Sequence, residues 1–127
     1  MQIKLNSVMV DDQSKAQKFY TEVLGFVLSK DIPMGEFKWL TVASPEGPAE
    51  IELLLEPMGF PPARTYQKAL FEAGIPATMF AVADIQQEYE RMKKLGVVFR
   101  SEPAKMGPTT ITMFEDTCGN LIQLYQT

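Results

Sequence analysis

Leu24-Gly25-Phe26 and Leu95-Gly96-Val97 stand 71 residues apart. Nearly the same interval separates Ile51-Glu52-Leu53 from Ile122-Gln123-Leu124, and Met34-Gly35 from Met106-Gly107. Val8 and Val10 answer Phe80 and Val82 in the same way. Anchors that recur at one offset describe an internal duplication, so each half is expected to be one copy of the same supersecondary unit.

The order of elements within each half supports this. Residues 3–10 read as a strand, and Asp12 is placed to cap a helix over residues 13–24. Its apolar positions Ala16, Phe19, Tyr20, Val23 and Leu24 follow a helical stripe that ends at Gly25. In the second half, residues 78–82 read as the strand and Asp84 with Gln87 makes a D-x-x-Q capping box. Ile85, Tyr89, Met92 and Leu95 form the matching stripe before Gly96. Three strand candidates follow each helix, over residues 27–30, 37–43 and 50–56, then 97–101, 109–114 and 120–126. The expected fold is therefore α+β, with two tandem βαβββ modules forming a cupped mixed β-sheet. It makes one domain over residues 1–127, divided into a first module (1–57), a linker (58–74) and a second module (75–127). Pro57, Pro61 and Pro62 are expected to keep the start of the linker irregular, with a short helix over residues 64–73.

Composition narrows the chemistry. The 127 residues carry 12 Lys and Arg against 16 Asp and Glu, a net charge of −4, with one Cys and no His. Without imidazole, Ser-His-Asp and Cys-His catalysis are excluded, and zinc, nickel and non-haem iron lose their usual nitrogen ligands. The scattered basic residues form no nucleic-acid footprint, and no apolar run reaches the length of a membrane span. A lone Cys cannot form an internal disulfide, which fits a reduced, cytoplasmic protein. Cys118 is expected at the surface of the turn over residues 116–120, where its thiol has no catalytic setting. The Pro-, Met- and Gly-rich segments 30–36, 57–62 and 103–108 read as loops able to act as a lid.

Strand alternation assigns side chains to faces. One helix covers one face of each sheet, so Val8, Val10, Ile51, Leu53 and Leu55 are assigned to the helix side, as are Phe80 and Val82. The open side then receives Leu5, Ser7, Met9, Glu50, Glu52 and Leu54 in the first module, and Ala77, Met79, Ala81, Leu121, Gln123 and Tyr125 in the second. Such a mostly apolar surface, with one carboxylate and one amide facing each other by repeat symmetry, has the composition of a small-molecule pocket. Trp39 and Tyr125 are candidates for stacking on a planar ligand, and Met9, Met79 and Met113 for adaptable apolar contact. Glu52 is read foremost as a hydrated carboxylate or one paired with the Gln123 amide, and as the alternative as a carboxyl whose pKa is raised by apolar surroundings, as a general base would need.

The motifs Val10-Asp-Asp12, Phe19-Tyr20, Leu24-Gly25-Phe26, Phe80-x-Val82-x-Asp84-Ile85, Leu95-Gly96-Val97 and Phe114-Glu-Asp116-x-x-Gly119-Asn120-Leu-Ile-Gln123-Leu124 resemble those of the vicinal oxygen chelate superfamily over about the full length. This superfamily includes glyoxalase I, extradiol dioxygenases, fosfomycin-resistance enzymes and bleomycin-resistance proteins. The resemblance implies a metal held by four inward residues, usually His, Glu or Gln, His and Glu. Carried onto this chain, the two His positions fall on Leu5 and Ala77, and the other two on Glu52 and Gln123. Leu and Ala have no lone pair to offer, so no metal or other cofactor is expected.

Two functions follow as expectations. One is a metal-independent protein that binds or sequesters an aromatic or amphipathic small molecule through Leu5, Ser7, Met9, Trp39, Glu52, Ala77, Met79, Met113, Gln123 and Tyr125. The alternative is a divergent glyoxalase-like lyase, isomerase or oxygenase in which Glu52 is the catalytic base or part of an oxygen-rich metal site. In either case the chain is expected to pair as a homodimer, because the resemblance implies pairing and an open cup leaves apolar surface to cover.

Overall fold

Asp12 and Asp84 decide where the two sheet-covering helices begin. The backbone of each is extended, and its carboxylate accepts from the amide three residues on, Lys15 N in one case and Gln87 N in the other, both at 3.0 Å. The computed structural model describes all residues from Met1 to Thr127. In chain order the elements are β1 (Leu5–Val10), α1 (Gln13–Lys18), β2 (Val27–Met34), β3 (Phe37–Ala43), β4 (Glu52–Pro57), α2 (Pro61–Ala73), β5 (Thr78–Ala81), α3 (Ile85–Lys94), β6 (Ala104–Met106), β7 (Thr109–Glu115) and β8 (Leu121–Gln126). Two compact units result, Met1–Thr65 and Tyr66–Thr127. Each contains a four-stranded mixed sheet, ordered β1-β4-β3-β2 in the first and β5-β8-β7-β6 in the second, so the duplicated α+β fold is as expected.

In each sheet the first strand runs parallel to the last, and the remaining pairs are antiparallel. The Met-Gly repeat explains itself here. Met34 pairs with Phe37 and Met106 with Thr109, which leaves two-residue hairpin turns in which Gly35 and Gly107 take φ of 64° and 63°. A side chain there would be strained, and such turns match the twist of the strands they join. Segments 30–36 and 103–108 are therefore mostly hairpin rather than lid.

The first unit buries Val8, Val10, Ala16, Phe19, Tyr20, Leu40, Val42 and Leu55. Ile51, assigned to this side, instead precedes β4 and is exposed. The expected helix over residues 13–24 changes its winding after Lys18: Phe19–Val23 form a π turn closed by Leu24 N to Phe19 O at 3.1 Å. Thr21 Oγ1 donates to Gln17 O at 2.7 Å, taking up the carbonyl that a continuing α-helix would pair through backbone. At the other end of α1, Gln13 sends Nε2 to Lys38 O at 2.8 Å and to Leu55 O at 2.9 Å, and its Oε1 accepts from Lys38 N at 3.0 Å. The β3–β4 ladder stops at the Thr41–Leu54 pair, and this one side chain ties the two strands together beyond it.

The second unit buries Ile85, Tyr89, Met92, Phe114, Ile122 and Leu124. Leu95 departs from the expected stripe and is exposed, because α3 ends at Lys94 and Leu95 has already left helical geometry. No strand forms over residues 97–101; Phe99 makes one isolated bridge to Phe114, and its ring packs edge-on against Tyr89 at 4.7 Å. Arg100 N to Met113 O at 2.8 Å and Glu115 N to Val98 O at 2.9 Å flank that bridge, and the regular strand appears later, as β6. The linker helix also differs, since Pro61 and Pro62 lie inside α2. Proline is tolerated in a first turn because its missing N–H would have no partner there.

The turn after β7 corrects the reading of Cys118, which is fully buried. Buried Asp116 accepts from Cys118 N at 2.8 Å, Asn120 N at 3.0 Å and Asn120 Nδ2 at 2.8 Å. Gln67 of α2 closes the turn from outside, donating Nε2 to Cys118 O and to Asn120 Oδ1, both at 3.1 Å. Gly119 makes this approach possible: its φ is 97°, and a Cβ there would lie 2.6 Å from Gln67 Oε1. Gly119→Ala should therefore cost roughly 3 kcal/mol from backbone strain and overlap. In a urea-unfolding double-mutant cycle, Gln67→Ala should recover part of that loss in the Gly119→Ala background. Additive losses would show that the two residues do not meet in this way.

Candidate functional site

The face of each sheet opposite its helix carries the residues singled out by strand alternation. In the first unit, Leu5 lies beside Glu52, Ser7 beside Leu54 and Met9 beside Glu56 along the parallel β1–β4 pair. Thr41 pairs with Leu54 on one side and Lys30 on the other, and Trp39 pairs with Ile32. Residues paired across neighbouring strands share a face. Leu5, Ser7, Met9, Trp39 and Glu52 thus lie on one side of one sheet. Leu5, Ile32, Met34 and Phe37 there remain 41–59% exposed. In the second unit, Met79 and Met113 flank Gln123, and Ala81 and Ile111 flank Tyr125. Ala77, just before β5, bonds through its N–H to Leu121 O at 2.8 Å.

Glu52 is the chemical centre of the first of these faces, and its surroundings differ from the apolar ones expected. Lys30 Nζ donates to its Oε2 at 2.7 Å, and Thr41 Oγ1 donates to its Oε1 at 2.6 Å. A register shift between Leu28 and Lys30 in the β2–β3 ladder marks a bulge that leaves Ser29 without a cross-strand partner. Such a bulge re-aims the side chains beside it, and here Lys30 reaches the carboxylate. The Glu52 carboxyl is pulled from 4.5 down to about 2, first by the Lys30 hydrogen bond, then by Thr41 and Ser29, against the opposing effect of burial. The alternative of a raised pKa is therefore overturned. Both carboxylate oxygens have donors within the first unit.

A group ionised at every pH down to about 2 is a poor general base near neutrality, where a useful base has a pKa close to the working pH. Nor does the site suit the metal that the resemblance implies. Leu5 and Ala77 have no donor atom, and an ammonium already lies against Glu52. No three Cys, Asp or Glu side chains of the chain converge in a way that can hold an ion.

Lys30 and Thr41 were not identifiable from sequence as partners of Glu52. Both carry the right parity for the face, but the bulge beside Lys30 leaves no mark in composition. A separate cleft of about 390 Å³ lies at the start of α1, lined by residues including Asp11, Asp12, Phe37, Lys38, Pro57 and Arg64. None of the sequence-selected site residues lines it.

A duplicated α+β chain with one four-stranded mixed sheet in each unit has the glyoxalase/bleomycin resistance fold. Residues 2–124 match the family model of the Glyoxalase/Bleomycin resistance protein/Dioxygenase superfamily, and the chain belongs to that superfamily. It is 56% identical over 126 residues to the uncharacterized protein YurT of Bacillus subtilis strain 168, covering 99% of both. Among solved structures it is similar to UcmS2, with a TM-score of 0.84 and 32% identity over 98% of this chain and 97% of that one. It is also similar to TnmS3, an antibiotic binding protein from Streptomyces sp. CB03234, with a TM-score of 0.78 and 29% identity over 99% of this chain and 95% of that one.

The charge network makes a definite pH prediction. A carboxyl whose pKa falls on folding stabilises the protein in full above its unfolded value, and that stability disappears as pH drops from 4.5 through about 2. Solvent around the half-exposed Lys30 limits the contribution to about 1–2 kcal/mol. Carboxyl carbon NMR should find Glu52 ionised at pH 3, and Lys30→Met should move its titration upward by more than a unit. A wild-type midpoint at 4.5 or above would show that the network does not hold.

Proposed function

We propose that this chain is a small-molecule-binding protein of the bleomycin-resistance kind that acts without a resident metal. It holds an aromatic or amphipathic compound against the open sheet faces. The observation that carries this reading is the Glu52 carboxylate, engaged by Lys30 and Thr41 at 2.7 and 2.6 Å. With its lone pairs so engaged and its charge balanced, the one ionisable residue retained at a ligand position is poorly placed either to coordinate an ion or to take a proton. That argues against the divergent lyase, isomerase or oxygenase.

The side chains on the open face of each sheet suit binding. Met9, Trp39, Met79, Met113 and Tyr125 supply polarisable and aromatic surface, Leu5 and Ala77 supply apolar surface where the resemblance implies His, and Ser7 and Gln123 offer polar contacts. The similarity to TnmS3, described as antibiotic binding, supports the same reading at 29% identity. A homodimer fits the apolar side chains left exposed on β2, and a reduced interior such as the cytoplasm suits the free Cys118.

Two measurements test this. Untagged protein should contain nickel, zinc and iron well below one ion per chain, and a stoichiometric content of any of them would overturn the metal-free reading. In a thermal-shift screen of small aromatic and antibiotic-like compounds, true ligands should raise Tm in proportion to their binding free energy and quench the emission of Trp39, the single tryptophan. Glu52→Gln should leave that binding within a few-fold of wild type.

A further inference from the structure

We propose that the Lys30 ammonium is a hydrogen-bond anchor for a neutral carbonyl oxygen, so that the open face of the first unit selects flat apolar compounds bearing a ketone or amide group. This rests on the ligand-binding reading above and adds the chemical class of the ligand.

Three observations converge on it. An ammonium has three N–H donors, and Lys30 uses one on Glu52, which leaves two without a partner in the chain. The pair is also asymmetric: the Glu52 side chain is 14% exposed and that of Lys30 48%, so the carboxylate lies deep in the face and the donors lie towards its open side. Apolar surface continues from the ammonium along the same face, with Ile32 two residues further along β2 and Trp39 paired to it. A flat ring system resting there brings a substituent oxygen towards Lys30.

Charge decides which oxygen. Glu52 balances Lys30, and Glu56 occupies the same face through its pairing with Met9, so the face has no positive charge to spare for an anion. A neutral acceptor gains a charge-assisted hydrogen bond at the ammonium without meeting net repulsion from the two carboxylates. The Thr41 hydroxyl holds Glu52 in place, and Glu52 in turn holds the Lys30 ammonium, so less freedom is lost when a ligand binds.

The test uses two matched fluorescent probes, 6-propionyl-2-(dimethylamino)naphthalene and its 6-propyl analogue, which lacks the carbonyl. Wild-type protein should bind the ketone about ten-fold more tightly than the analogue, the worth of one hydrogen bond to a charged group. Both should quench Trp39. The double variant Lys30→Met/Glu52→Gln leaves net charge unchanged and strands no carboxylate; it should bind the two probes equally, with the propyl affinity as in wild type. Infrared spectra of the wild-type complex, which need no variant, should show the ketone stretch lowered relative to the same probe in aprotic solvent.

Equal affinity of wild type for both probes, or an unshifted carbonyl stretch, would overturn the anchor while leaving the binding reading intact. A folded double variant that lost the propyl analogue as well would assign Lys30 a structural role and overturn the anchor in the same way. Failure of wild type to bind either probe would overturn the binding reading and the anchor together.

Discussion

A four-stranded sheet has two faces, and in each unit of this protein the helix that follows the first strand covers one of them. That constraint organises everything else. It sends Val10, Leu40, Val42 and Leu55 to one side of the first sheet, where they are buried, and leaves the other side to residues that would make a poor core: Ser7, Lys30 and Glu52 beside exposed Leu5 and Ile32. The second sheet repeats the arrangement, with Phe114, Ile122 and Leu124 buried and Met79 exposed on the face it shares with Gln123. A face of this composition gains stability when something apolar is laid on it, and that is the physical basis for reading it as a binding surface.

Within that face the polar residues are not interchangeable. Glu52 sits where a carboxylate in partly apolar surroundings is costly unless its charge is met, and Lys30 and Thr41 meet it. The outcome inverts the usual effect of burial. Hydrogen bonding and the nearby ammonium together outweigh desolvation, so the carboxyl is more acidic than in water rather than less. Its partner keeps spare donors towards the open side of the face. An internal cation thus stands next to the carboxylate of Glu52.

Much of the fold was legible because its signals are local. The caps Asp12 and Asp84, the helix-ending Gly25 and Gly96, and the paired Met-Gly turns each act within a few residues, and the offset between the halves shows that they recur together. The residues assigned to the open face were legible as well, since strand alternation needs only the strand. Where expectation and structure part, a particular side-chain contact accompanies the change. Thr21 bonding back to Gln17 turns the end of α1 into a π turn, Phe99 packs against Tyr89 instead of extending a strand, and Gln67, 51 residues before Cys118 in the chain, seals that thiol inside a turn that reads as surface.

By itself the sequence determined the duplicated βαβββ order, the family and the residue types on each face, because periodicity, capping and the absence of His are properties of the linear chain. The state of Glu52 was decided only in three dimensions. A bulge in β2 aims Lys30 across β3 at a carboxylate more than 20 residues away, and a pKa depends on which charges and donors lie within a few ångströms, a distance that no spacing in sequence records.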